Sequence, residues 1–179
     1  MKKIEGRTLE PDTHEILHEN KAGLLSCKGP NIFSGYLNNP EQTKEVLSDD
    51  GWFITGDLGR MDEDGFLFIE GRLSRFSKIG GEMVSHQSVE DMIAEVLSMA
   101  GHPNEEIICA VTGITDEGKG ECLVLLSTVE VDSQWIGEQL RNKGVPNLWI
   151  PKQIKKVQEI PVLGTGKLDL RKLKDLAGT

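Results

Sequence analysis

The chain has 179 residues, of which 37% are hydrophobic and 27% charged, and its formal net charge is -9. That length suits one ordinary domain or two small ones, and the balance is that of a globular chain, not a disordered one. The acidic balance argues against nucleic-acid binding, and no apolar run approaches the roughly 20 residues that a membrane-spanning helix needs. The charged start, Met1 to Arg7, has no apolar stretch behind it, so it does not read as a signal peptide, and a cytoplasmic chain is expected. Cys27, Cys109 and Cys122 are odd in number and lack Cys-x-x-Cys spacing, which reads as free thiols in a reducing compartment. His14, His18, His86 and His102 are scattered and make no zinc pattern, so no metal site is expected.

In chain order, residues 1 to 20 read as extended and turn-like, with a short strand over Glu15 to His18. A second strand is expected over Leu24 to Lys28. Asn39 is a plausible N-cap with Pro40 at the first helical position, opening a short helix to about Leu47. Gly51 leads into an aromatic strand start and then Thr55-Gly56-Asp57. Asp62 to Gly65 is a turn signal, Phe66 to Ile69 a short apolar strand, and Gly71-Arg72 its end. Such short strands at close spacing predict a small open barrel. A further strand over Arg75 to Ile79 meets Gly80-Gly81, a pair that reads as a hairpin turn because such turns need positive φ.

Ser85 is a good N-cap. Val89, Met92, Ile93, Val96 and Leu97 then recur at helical spacing, with Glu90, Asp91 and Glu95 on the other face and Gly101 as the stop. Strands are expected over Glu106 to Ile114, Glu121 to Val129 and Lys152 to Ile160. Asp132 caps a helix through about Asn142, and Leu170, Leu173 and Leu176 mark a final one. The fold class is α+β: a small distorted β-barrel subdomain, residues 1–73, followed by a domain, residues 74–179, with a β-hairpin and a three-stranded sheet covered by helices.

Pro161 to Lys167 contains Gly164-Thr-Gly-Lys167. It is not a phosphate-binding P-loop, because the required Gly and the Ser or Thr are replaced by Pro161 and Leu168. The ordered set Gly29-Pro-Asn31, Thr55-Gly56-Asp57, Gly71-Arg72 and Pro161 to Lys167 resembles the adenylate-forming synthetases: acyl- and aryl-CoA ligases, firefly luciferase and peptide-synthetase adenylation domains. The resemblance covers the chain from near its N-terminus to Lys167. It implies that Asp57 and Arg72 hold the ribose hydroxyls of ATP, that Ser74 sits at a hinge, and that Lys167 is catalytic in adenylation. Ser74 departs from the family's usual Asp or Lys there. The hairpin with Lys78, Gly80 and Gly81 is implied to line a pantetheine tunnel after a rotation about the hinge.

Arg75-Phe-Ser-Lys78 followed by Gly81-Glu-Met-Val-Ser85 is most similar to the bacterial acyl-acyl carrier protein synthetases, including those fused to a 2-acylglycerophosphoethanolamine acyltransferase. On that resemblance the chain is the C-terminal part of an ATP- and Mg2+-dependent fatty acyl-acyl carrier protein ligase, inactive without the upstream domain that carries the metal ligand. Fusion to a lysophospholipid acyltransferase would put it at the cytoplasmic face of a membrane. The alternatives are a fatty acyl-CoA ligase fragment, with CoA as the thiol, and a non-catalytic carrier-binding module. From Arg141 onward nine basic residues face three acidic ones, a balance suited to an acidic carrier protein or to a solvated face.

Overall fold

The computed structural model describes residues 4–102 and 107–178. Its described residues divide into two units that meet in sequence between Leu73 and Ser74.

The first unit is one antiparallel sheet of β1 (Glu5–Leu9), β2 (Gly23–Lys28), β3 (Phe53–Met61) and β4 (Leu67–Arg72), in that spatial order. Helix α1 (Pro40–Val46) lies between β2 and β3 in sequence. Asn39 caps it as expected, its side chain accepting from the Gln42 N–H at 3.1 Å. Asp62 makes the β3–β4 turn by accepting from the Asp64 and Phe66 amides. Two expectations fail here. The sheet is open and not a barrel: β1 and β4 are unpaired edges among the described residues, because four strands are too few to curl and close on themselves. Glu15 to His18 is no strand and is reduced to a single bridge between Ile16 and Leu9. Residues Glu5–Leu9 supply the strand instead, because Thr8 and Leu9 can bury there beside β2. The core of this unit is thin, with Leu9, Leu24, Leu25 and Leu58 buried, while Phe66 to Ile69 are exposed.

A single 3-10 turn, Leu73–Arg75, spans the boundary in sequence and leads into the second unit. The hairpin β5 (Phe76–Ile79) and β6 (Glu82–Ser85) follows, then α2 (His86–Met99), β7 (Cys109–Asp116), β8 (Gly120–Ser127), α3 (Ser133–Asn142), β9 (Gln153–Lys156) and α4 (Leu170–Gly178). β8 is central. It pairs antiparallel with all of β7 on one edge, and on the other with β5 at Ile79 and in parallel with β9. Its run Cys122 to Leu126 is buried on both faces, and alternate residues serve two cores. Leu123 and Leu125 join Val89, Ile93, Ile136 and Leu140 from α2 and α3. Val124 and Leu126 join Ile160 and Leu173 on the α4 side.

Ser85 and Asp132 cap α2 and α3 through their side chains, at 3.2 and 2.7 Å. The last strand is shorter than Lys152 to Ile160 because its partner β8 ends at Ser127, which accepts the Val157 amide and leaves nothing beyond to pair with. Of the expected Glu106 to Ile114 strand, Glu106 lies outside the described residues, and the strand itself starts later, at Cys109, and runs on to Asp116. In α4 the buried face is Leu173 and Ala177, while Leu176 is exposed.

Candidate functional site

In the first unit, the β3–β4 register sets Asp57 directly opposite Arg72. Arg72 Nε pairs with Asp57 Oδ1 at 2.9 Å, and its Nη1 donates to the Thr55 carbonyl at 3.0 Å. Thr55 is held in turn: its hydroxyl donates to the Leu25 carbonyl and accepts from the Asp57 amide, both at 3.0 Å. Gly56 lies between them with φ +75°, and a Cβ built there would meet Arg72 Nη1 at 3.5 Å. The result is a carboxylate and a guanidinium fixed side by side at the end of a sheet, each with further hydrogen-bonding capacity facing outward. That pairing suits a vicinal diol, which can donate to the carboxylate and accept from the guanidinium.

In the second unit, Ser74 is exposed in the first 3-10 turn. The β5–β6 hairpin closes through Gly80 (φ +59°) and Gly81 (φ +88°), the two successive positive angles of a type I′ turn. Lys78 is exposed in β5, and its amide donates to Glu121 Oε2 at 2.8 Å. The tip rests on the β7–β8 turn, with the Gly80 N–H donating to the Lys119 carbonyl, and near Leu148.

Lys167 stands elsewhere in this unit. The Leu163 N–H donates to its carbonyl at 2.7 Å, and a bridge pairs Val162 with Leu168, so Gly164 to Gly166 form the tip of a small exposed loop. Gly166 and Leu168 line a cavity of about 330 Å³ together with Gln87, Glu90 and Asp91 of α2. The hairpin tip and the lysine loop thus rest on different supports.

Three polar groups were placed differently or passed over by the sequence reading. Arg75 belongs to the 3-10 turn, not to β5. Glu90, expected on the solvated face of α2, is 8% exposed and pairs with Arg75. His86 is buried, 2.9 Å from the Ser77 hydroxyl; burial, followed by the charges of Arg75 and Lys174, lowers its pKa to about 4. The signal for Glu90 was available in its position one residue after buried Val89, on the border of the apolar stripe. Burial, with a smaller contribution from Glu90, pushes the Cys109 thiol up to about 12, and burial also raises Cys27 and Cys122. None of the three is poised as a thiolate.

The basic C-terminal third is largely engaged within the unit. Lys152 pairs with Asp116, Lys156 with Glu130 and Lys143 with Glu95, while Lys155 Nζ donates to the Ala177 carbonyl. Among the described residues no group of three or more His, Cys, Asp or Glu could hold a metal ion, and no helix is long and apolar enough to cross a membrane.

No family model matches the chain. Curated proteins match over nearly all of it: luciferin 4-monooxygenase of Photuris pensylvanica (32% identical, 95% of this chain and 31% of that protein) and 4-coumarate–CoA ligase 1 of Arabidopsis thaliana (33%, 96% and 30%). Medium-chain fatty-acid–CoA ligase of Escherichia coli matches at 32% identity over 88% of this chain and 27% of that protein. Among solved structures, ATP-bound MatB from Rhodopseudomonas palustris superposes with a TM-score of 0.71 at 29% identity, covering 96% of this chain and 33% of that one. O-succinylbenzoate–CoA synthetase from Bacillus subtilis, in complex with AMP, follows at 0.68 and 25%, covering 96% and 34%. The α+β fold and these matches place the chain in the adenylate-forming superfamily. It spans about a third of the length of the curated relatives it matches.

Proposed function

We propose that this chain is the nucleotide-ribose edge and mobile lid of an ATP-dependent acid–thiol ligase, acting with an upstream domain of the same protein. The observation that carries the reading is the opposition of Asp57 and Arg72 at the end of the β3–β4 pairing that precedes Ser74. In this reading they hold the two ribose hydroxyls. The exposed apolar edge strand β4 supports an upstream domain, because such an edge is a template for further chain.

The reaction runs in two steps. A fatty acid carboxylate attacks the α-phosphorus of ATP and pyrophosphate leaves. A thiol then attacks the acyl carbonyl of the adenylate and AMP leaves. The first step brings two anions together. Lys167, presented on its Gly-flanked loop, lowers that repulsion and stabilises the charge that develops in the transition state. The lysine must then withdraw, and rotation at Ser74 exchanges it for the Lys78, Gly80 and Gly81 hairpin, which lines the path of the pantetheine arm. Mg2+ would enter with ATP; no residue of this chain is assigned to it.

The thiol we favour is the pantetheine of an acyl carrier protein, on the Arg75-Phe-Ser-Lys78 and Gly81-Glu-Met-Val-Ser85 motifs, and an upstream lysophospholipid acyltransferase would be consistent with that branch. The second reading takes CoA as the thiol. It is favoured by the CoA ligases among the relatives and by the internal pairing of much of the basic surface.

Lys167→Ala in the full-length ligase tests the mechanism. Exchange of pyrophosphate into ATP should fall by at least about 100-fold, while thioester formation from preformed acyl adenylate is kept. Equal loss of both steps would refute the two-conformation reading.

A further inference from the structure

Strand β7 has a free edge among the described residues, where β8 is its one neighbour in the sheet. Backbone groups on such an edge need partners when they are buried. At Val111, which is fully buried, the partners are two side chains. Glu90 Oε1 accepts from the Val111 N–H at 2.6 Å, and Arg75 Nη1 donates to the Val111 carbonyl at 3.2 Å. Arg75 Nη2 closes the ring by pairing with Glu90 Oε2. The guanidinium and carboxylate together stand in for a residue of a neighbouring strand. Both are withdrawn from water, with side chains 14% and 10% exposed.

The position of this ring gives it meaning. Arg75 immediately follows Ser74, and Glu90 also lines the cavity that Gly166 and Leu168, flanking Lys167, line. One buried carboxylate therefore pairs with the residue after Ser74 and shares a cavity with the flank of the lysine loop.

We infer that Arg75 and Glu90 are positioning residues that lock the chain just after the hinge to the support of the Lys167 loop, so that rotation at Ser74 swings the lysine as a rigid lever. This rests on the hinge and lysine roles proposed above. A planar guanidinium can bond Glu90 and Val111 together; a lysine ammonium lacks the fork to hold both in that geometry. Without the lock, the pivot spreads from Ser74 into β5 and the lysine arrives misplaced, and errors of about 1 Å cost on the order of 100-fold in rate.

The test compares wild type with Arg75→Lys and Glu90→Gln. In the 179-residue chain, thermolysin should cut wild type at Leu73, and the variants also at Phe76 and Ile79, with exchange of the Val111 amide faster by about tenfold or more. In the full-length ligase, Arg75→Lys should lower kcat for adenylation by about 10- to 100-fold, with KM for ATP within about twofold. Variant cuts and exchange identical to wild type would overturn the inference. So would a lowered Tm with unchanged kcat per folded molecule, which marks a merely structural pair. Wild type resistant at Leu73 would instead overturn the hinge reading, and the Val111 exchange would still judge the ring.

Discussion

Acidification should destabilise the second unit through one histidine. His86 is 3% exposed, contacts the Ser77 hydroxyl, and has its pKa lowered from 6.5 to about 4 by burial and by Arg75 and Lys174. As the pH falls below 6.5, the unfolded chain binds a proton that the folded chain refuses. Stability is therefore lost through that window, and the loss ends near pH 4, where the folded imidazole also protonates. At about 1.4 kcal/mol per pH unit, the window from 6.5 to about 4 is worth roughly 3 kcal/mol. The assay is denaturant unfolding of wild type and His86→Gln at about pH 7 and about pH 4.5, followed by the fluorescence of Trp135 and Trp149, which pack against the larger core. Carboxylates titrate in both proteins and cancel in the comparison. Wild type should lose about 2.5 kcal/mol more than the variant between the two conditions, since the lower pH stops short of the end of the window. Parallel losses would refute the reasoning, since they would mean that His86 protonates as readily folded as unfolded.

The hairpin tip and the basic face allow two further tests. Gly81→Val should lower stability by about 1–2 kcal/mol because φ is +88° there, whereas Gly80→Asn should be near neutral, as Asn tolerates a φ of +59° and its Cβ would meet Leu148 at an ordinary 3.7 Å; thermal melts of both variants check this. Lys156 is exposed and its pair with Glu130 is solvent-screened, whereas Lys155 is partly buried and bonded to the last turn of α4. If an acyl carrier protein docks on this face, Lys156→Glu should raise KM for the carrier at low salt and leave KM for ATP unchanged, while Lys155→Glu should mainly lower Tm. Carrier kinetics unchanged at low and raised salt would leave the basic face a solvated surface and favour CoA.

What could be read locally was read well. Asn39, Ser85 and Asp132 cap their helices because an N-cap needs a short side-chain acceptor within reach of an amide a turn ahead. The period of Val89, Ile93, Val96 and Leu97 marks the buried face of α2, and Gly80-Gly81 specified a tight hairpin. These features depend on neighbours a few residues away. The misreadings share the opposite property. Leu176 was placed in the α4 stripe, but the structure buries Leu173 and Ala177, because which face of a helix is covered depends on what lies across from it. The same holds for Glu90: its charge predicts solvent, and only the arrival of Arg75 and the free edge of β7 makes burial tolerable.

By itself the sequence determined the α+β character, the four helices within a few residues, the Gly-turned hairpin at Gly80-Gly81 and the exposed turn that carries Lys167. Only the tertiary structure decided that the first sheet stays open, that β9 adds to β8 in parallel, that Asp57 faces Arg72 in register, and that Glu90 pairs with Arg75 while lining the same cavity as Gly166 and Leu168. Those are decisions about which strand or helix comes to lie beside which. They are set by the joint burial of residues far apart in the chain, so no window of sequence contains them.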